Sequence, residues 1–212
     1  MSLTVRDNRV SIILIVSITV LLIAPILANG YAKEIKLSDC KCKWHKSELV
    51  VWINNTSEVK YTRIVIDAIN EWHNNFKELS YKIHTIPPDN YDIEITIHKA
   101  YGKAVGLPRD TAAITSNEKE PNNNRLVSVT IDVPTYYRSL YGSTIKIKDV
   151  VFYNMILHEF GHAIGLGHAT DNRMKPLDPM YHSLRLNEDA RKVSELDVTT
   201  LESLYKDNQS FE

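Results

Sequence analysis

Residues 158–168 read His-Glu-Phe-Gly-His-Ala-Ile-Gly-Leu-Gly-His, and this run constrains the backbone more tightly than any other part of the chain. His158 and His162 stand at i and i+4, a spacing that places two imidazoles one above the other on a helical face, where they can share a metal ion. Glu159 then points about 100° around the helix from His158, within reach of a water on that metal without being a ligand. Gly165, three residues past His162, is where the helix can stop in a left-handed turn that glycine adopts cheaply. Such a turn could swing His168 back as a third ligand. Three imidazoles with an open fourth position suit a catalytic zinc site better than a structural one. Magnesium or calcium would need more carboxylates, while nitrogen ligands alone leave cobalt and copper open. Taken alone, the string 158–162 also fits two solvated histidines on an ordinary helix.

Composition bounds what surrounds this helix. Of 212 residues, 43% are hydrophobic and 24% charged, values that argue against a disordered or collagen-like chain. With 25 Lys+Arg against 26 Asp+Glu, the formal net charge of −1 supplies no basic field, so no nucleic-acid partner is expected. Two cysteines are too few for a disulfide scaffold. Residues 10–28 form nineteen positions without a charge, preceded by Arg6 and Arg9 and followed by Asn29, Gly30 and Ala32. They read as a secretory signal cut near Gly30 or Ala32, or as an uncleaved anchor, since such a run can just span a hydrocarbon core of about 30 Å. The arginines keep the N-terminus in the cytoplasm and put everything beyond about residue 32 outside. Residues 1–32 are therefore expected to be a signal peptide or membrane tether, and residues 33–212 one compact domain, secreted or surface-bound and monomeric.

Periodicity predicts strands at 49–53, 79–84, 93–98, 112–115 and 127–133. The spacing of Ile64, Ala68, Ile69, Trp72 and Phe76 predicts an amphipathic helix over 61–76. A second helix starts near Asp149, with Phe152, Ile156 and Ile164 turned to the core, and a third covers 194–205 with Ser194 as N-cap. The polar run 117–125 reads as a surface loop. Together these predict an α+β (α/β-like) domain with a twisted, mixed five-stranded sheet and three helices.

The run 158–168 matches in full the extended zinc-binding motif of the metzincin metallopeptidases, and Asp178-Pro179-Met180-Tyr181 looks like their Met-turn. Asp171, Tyr181, the stretch Ser194-Glu195-Leu196-Asp197 with Leu201, Leu204 and Tyr205, and Ile66-Asp67-Ala68-Ile69-Asn70-Glu71-Trp72 resemble the matrixin (matrix metalloproteinase-like) family over 44–206. The resemblance implies a metzincin catalytic domain at 33–212. It would be a zinc endopeptidase acting on protein or peptide substrates, with His158, His162 and His168 holding one Zn2+, Glu159 as general base and Met180 packed beneath the metal. It also implies that an extended peptide lies beside an edge strand, here 112–115. The family's calcium and second zinc sites map onto no matching residues, so calcium has no support in the sequence. On length, neither a sizeable prodomain nor an appended substrate-binding domain is expected.

Other features stay open. Cys40-Lys41-Cys42 does not match the family's zinc-capping prosegment motif and reads as a local thiol pair, disulfide-bonded in an oxidising compartment, with zinc capping or a second metal site with His45 as alternatives. His45, His73, His84 and His98 read as surface or satisfied core, and His182 lies near the cleft. Tyr136, Tyr137 and Tyr141 could wall a pocket or pack around a loop. Residues 54–57 hold overlapping glycosylation sequons and 208–210 another. The competing functional reading is a non-catalytic, zinc-stabilised binding or adhesion module, against which the intact Glu159 argues.

Overall fold

The structure is a computed structural model that describes residues 35–37, 41–99, 113–121, 123–138, 143–169, 178–181 and 189–206. Along the chain run β1 (Ile35–Leu37), β2 (Glu48–Asn55), α1 (Val59–Asn75), β3 (Ser80–His84), β4 (Ile93–His98), β5 (Ile114–Lys119) and β6 (Leu126–Pro134). β7 (Tyr136–Arg138), β8 (Thr144–Lys146), α2 (Asp149–Ala163), β9 (Leu166–Ala169) and α3 (Glu195–Tyr205) follow. Five strands form one mixed sheet in the order β3-β2-β4-β6-β5, parallel throughout except that β5 runs antiparallel along the edge. With the three helices this is the α+β arrangement expected from the sequence.

β2 and β3 are parallel neighbours, so the chain between them must cross over the sheet, and α1 is that crossover. Its buried face is Tyr61, Val65, Ala68, Ile69 and Trp72, with Ile64 half-buried at its margin. The predicted stripe is borne out at Ala68, Ile69, Trp72 and Phe76, and Tyr61 and Val65 widen it into a broad apolar sector. α2 lies beside α1, and the Trp72 indole N–H donates to the Leu157 carbonyl at 2.9 Å across the contact. Phe152, Ile156 and Ile164 are all buried, as their positions demand. α2 is buried on nearly every side, since it sits between the sheet and the C-terminal segments.

Several sequence expectations need correction. β5 begins at Ile114 and continues through Asn117, Glu118 and Lys119, which fall in the run predicted as loop. These side chains are exposed, and their backbone pairs with Val129, Ser128 and Leu126 of β6. An edge strand facing water needs no apolar alternation, so its polarity hid it. β1, β7, β8 and β9 were not expected; each has only three or four residues, too few to show a period. Cys42 is fully buried and disulfide-bonded, in keeping with the structural, oxidised reading of the pair.

Asn55, in a sequon, has its amide engaged: it donates to the Glu58 carbonyl and the Thr62 hydroxyl and accepts from the Ser57 N–H at 2.7 Å. The leader at 1–32, Cys40, Ala112, Tyr141, Asp171, His182 and the sequon at 208–210 lie outside the described residues. No helix among the described residues is long and apolar enough to cross a membrane.

Candidate metal and catalytic site

α2 delivers His158, Glu159 and His162 from consecutive turns. The helix ends at Ala163, and Gly165 follows with φ +110°, a backbone conformation that side chains oppose. A Cβ there would lie 2.7 Å from the Cys42 carbonyl oxygen. The chain then turns into β9, which presents His168. β9 is held on one edge by β1, with Ile35 opposite Ala169 and Leu37 opposite Leu166. Ala169 also donates its N–H to the Met180 carbonyl at 2.9 Å, which joins β9 to the turn at 178–180.

The candidate ligand atoms of His158, His162 and His168 all lie within 4.8 Å of one another. Nε2 of His162 is 3.1 Å from Nε2 of His158 and 3.2 Å from Nε2 of His168. Tetrahedral zinc with Zn–N bonds of about 2.0–2.1 Å needs donor atoms about 3.3 Å apart, which both separations from His162 approach. The tautomers fit as well. His158 Nδ1 lies 2.6 Å from the Pro179 carbonyl and His162 Nδ1 2.8 Å from the Leu166 carbonyl. A carbonyl only accepts, so each Nδ1 carries the hydrogen and each Nε2 turns a lone pair toward its neighbour. Lone pairs held that close repel unless a cation lies between them.

Burial pushes His158 down to about 3, reinforced by His162 and opposed by the bond to Pro179. Burial lowers His162 too, against its bond to Leu166. Both are therefore neutral near pH 7, the form a metal needs. Glu159 is pushed up to about 7 by burial, opposed by a hydrogen bond from Thr115.

Four residues shape the site that the sequence reading passed over. The Thr115 hydroxyl on β5 donates to Glu159 Oε2 at 2.6 Å, a contact across 44 positions that no local pattern announces. Gly161 lets the methionine turn approach: a Cβ there would stand 2.3 Å from Met180 Sδ and 2.9 Å from Trp72 Cζ2. The buried Asn154 donates to the Asp189 carbonyl and accepts from the Arg191 N–H at 2.8 Å, fastening the strand of chain before α3 to the helix. Arg191, itself buried, donates from Nη1 to the carbonyls of Asp178 and Tyr181. Beneath the cluster, Met180 is fully buried, and its N–H donates to Asp178 Oδ1 at 2.8 Å. Of the remaining aromatics, Tyr137 packs on the core while Tyr136 is half-buried on β7. His98 lies 2.9 Å from Asp132, and His73 Nδ1 lies 3.2 Å from the Leu79 carbonyl.

A buried helix with three converging imidazoles, set across a mixed sheet above a methionine turn, belongs to the metzincin class of catalytic domain. Within that class the family is also clear: the family model described as matrixin matches residues 43–206, and the chain belongs to the matrixin family. Matrixins use a catalytic zinc and act on proteins or peptides. No curated protein matches the chain at a significant level.

Proposed function

We propose that this chain is a secreted or surface-tethered zinc endopeptidase, monomeric, in which His158, His162 and His168 hold one zinc ion and Glu159 is the general base. The observation that carries this reading is the convergence of three Nε2 atoms beside a buried carboxylate. Zinc bound there would polarise a peptide carbonyl and make a water acidic enough to ionise near neutral pH. Glu159 accepts that water's proton as its oxygen bonds to the carbonyl carbon, then passes the proton to the amine as the C–N bond breaks. Met180 supports the floor of the site, and Gly165 lets the chain turn so that β9 can present His168. Protein or peptide is the substrate class.

Digestion of casein or gelatin by the exported chain tests this directly. Activity should vanish under chelation, return with zinc, and fall on the order of 10²-fold or more in Glu159→Ala. Proteolysis that survives chelation or the loss of Glu159 would overturn the zinc-hydrolase reading, and no proteolysis at all by the zinc-loaded chain would favour the binding module. The run at 10–28 and the arginines before it support export, and N-terminal sequencing of the exported protein tells a cut signal at 1–32 from a tether.

A further inference from the structure

Glu159, buried on α2, meets Thr115 of the edge strand β5. Thr115 sits there because β5 pairs antiparallel with β6, with Thr115 directly opposite Ile131. Residues opposite each other in such a pair share a face, and Ile131 is fully buried toward the helices, so Thr115 also turns inward. Its hydroxyl reaches two acceptors of one residue: Glu159 Oε2 at 2.6 Å and the Glu159 backbone carbonyl at 3.1 Å. No other hydrogen bond reaches the Glu159 carboxylate among the described residues.

We propose that Thr115 is a positioning residue for Glu159, its hydroxyl holding Oε2 so that Oε1 is the oxygen offered to the attacking water. The inference rests on the peptidase reading of Glu159. A hydroxyl has one hydrogen and two lone pairs, which suits it to this place. When the carboxylate is ionised, Thr115 donates to Oε2. When Oε1 has taken the water's proton, Oε2 is the carbonyl oxygen of the acid and still accepts from the Thr115 hydroxyl. The base can thus take up and release a proton without losing its anchor or changing rotamer. β5 thereby has two tasks: its backbone forms the sheet edge, and one inward side chain orients the base.

The test uses the full chain with Thr115→Val, Thr115→Ser and Glu159→Ala, measuring zinc content, thermal unfolding, and kcat and KM on one peptide. Valine keeps the shape and strand preference of threonine without the hydroxyl. Thr115→Val should keep its zinc and its KM but lose about 10- to 100-fold in kcat, while Thr115→Ser returns to within about threefold of the parent. Parent-like kcat in Thr115→Val, or equal losses in the valine and serine variants, overturns the proposal. A parent without activity overturns the peptidase reading instead. In that case crystal structures of the parent and Thr115→Val still decide the contact, because a Glu159 carboxylate in the same rotamer without the hydroxyl would overturn it.

Discussion

Tyr205, at the last turn of α3, donates its hydroxyl to the carbonyl of Ile164 at 3.1 Å. The same hydroxyl accepts from the Trp44 N–H at 3.3 Å, and the Trp44 indole donates to the Ala163 carbonyl at 2.9 Å. The open carbonyls at the end of α2, which a helix cannot satisfy itself, are thus closed by residues from the two ends of the folded domain. Tyr205→Phe deletes only the hydroxyl and leaves buried partners short of a bond, so stability should fall by about 1–3 kcal/mol. Urea unfolding of the zinc-loaded protein measures it.

Gly161 and Gly165 should respond differently to alanine. At Gly161 the added methyl meets the flexible end of Met180 and the ring of Trp72. Crowding of that kind costs about 1–3 kcal/mol, and zinc affinity should drop as Met180 shifts. At Gly165 the methyl meets backbone, the Cys42 carbonyl, at a positive φ. Both penalties then apply, so Gly165→Ala should be the less stable of the two when their melting temperatures are compared.

Zinc that binds only the folded chain stabilises it by mass action, about 4 kcal/mol at a thousand times its dissociation constant. For a domain of this size that corresponds to a melting temperature lower by about 10 °C after chelation. His168→Ala should melt at the low temperature whether or not zinc is added. Calorimetry with and without chelator checks both statements, and a metal-independent melting temperature in the parent would count against the site.

Asp178 and Asp197 are both buried, and the Ser194 hydroxyl stands 3.0 Å from one carboxylate and 2.9 Å from the other. One hydrogen cannot serve two anions at once. Burial first, and Asp178 second, push Asp197 up to about 7 from an ordinary 3.8. Between those values the folded protein holds a proton that the unfolded chain has lost, so stability falls as pH rises through that window. The slope is at most about 1.4 kcal/mol per pH unit. His158 and His162, with lowered values, act in the opposite sense, because the unfolded chain takes up their protons first as pH falls below the ordinary 6.5. Comparing Asp197→Asn with the parent across pH isolates the carboxyl effect: the difference between them should shrink toward pH 4. Identical pH profiles would show that Asp197 ionises normally.

The elements that bury an apolar face were legible in the sequence. α1 and β4 repeat hydrophobic residues at the period of their structure, while β2 stands out as an unbroken apolar run and α2 by its motif, because the sheet and helices must cover one another. Ser194 was legible as a cap for a similar reason, since the capping box with Asp197 is completed within three residues. β5 was misread beyond Thr115 because one edge of it faces water, and β1 and β9 were missed because strands this short hold together only by pairing with each other.

The same division runs through the site. His158, Glu159 and His162 are set by helical spacing, which is local, and the glycine at 165 marks where that spacing must end. Sequence alone therefore determined the chemistry on offer: imidazoles for a metal, with a carboxylate one residue away. Their readiness was decided by the tertiary structure. The Pro179 and Leu166 carbonyls select the histidine tautomers, the β1 pairing holds β9 in place, and Thr115 reaches Glu159 from the sheet edge. Hydrogen-bond partners brought together across many residues leave no periodic trace, because they depend on where the chain returns in space and not on how far along it they stand.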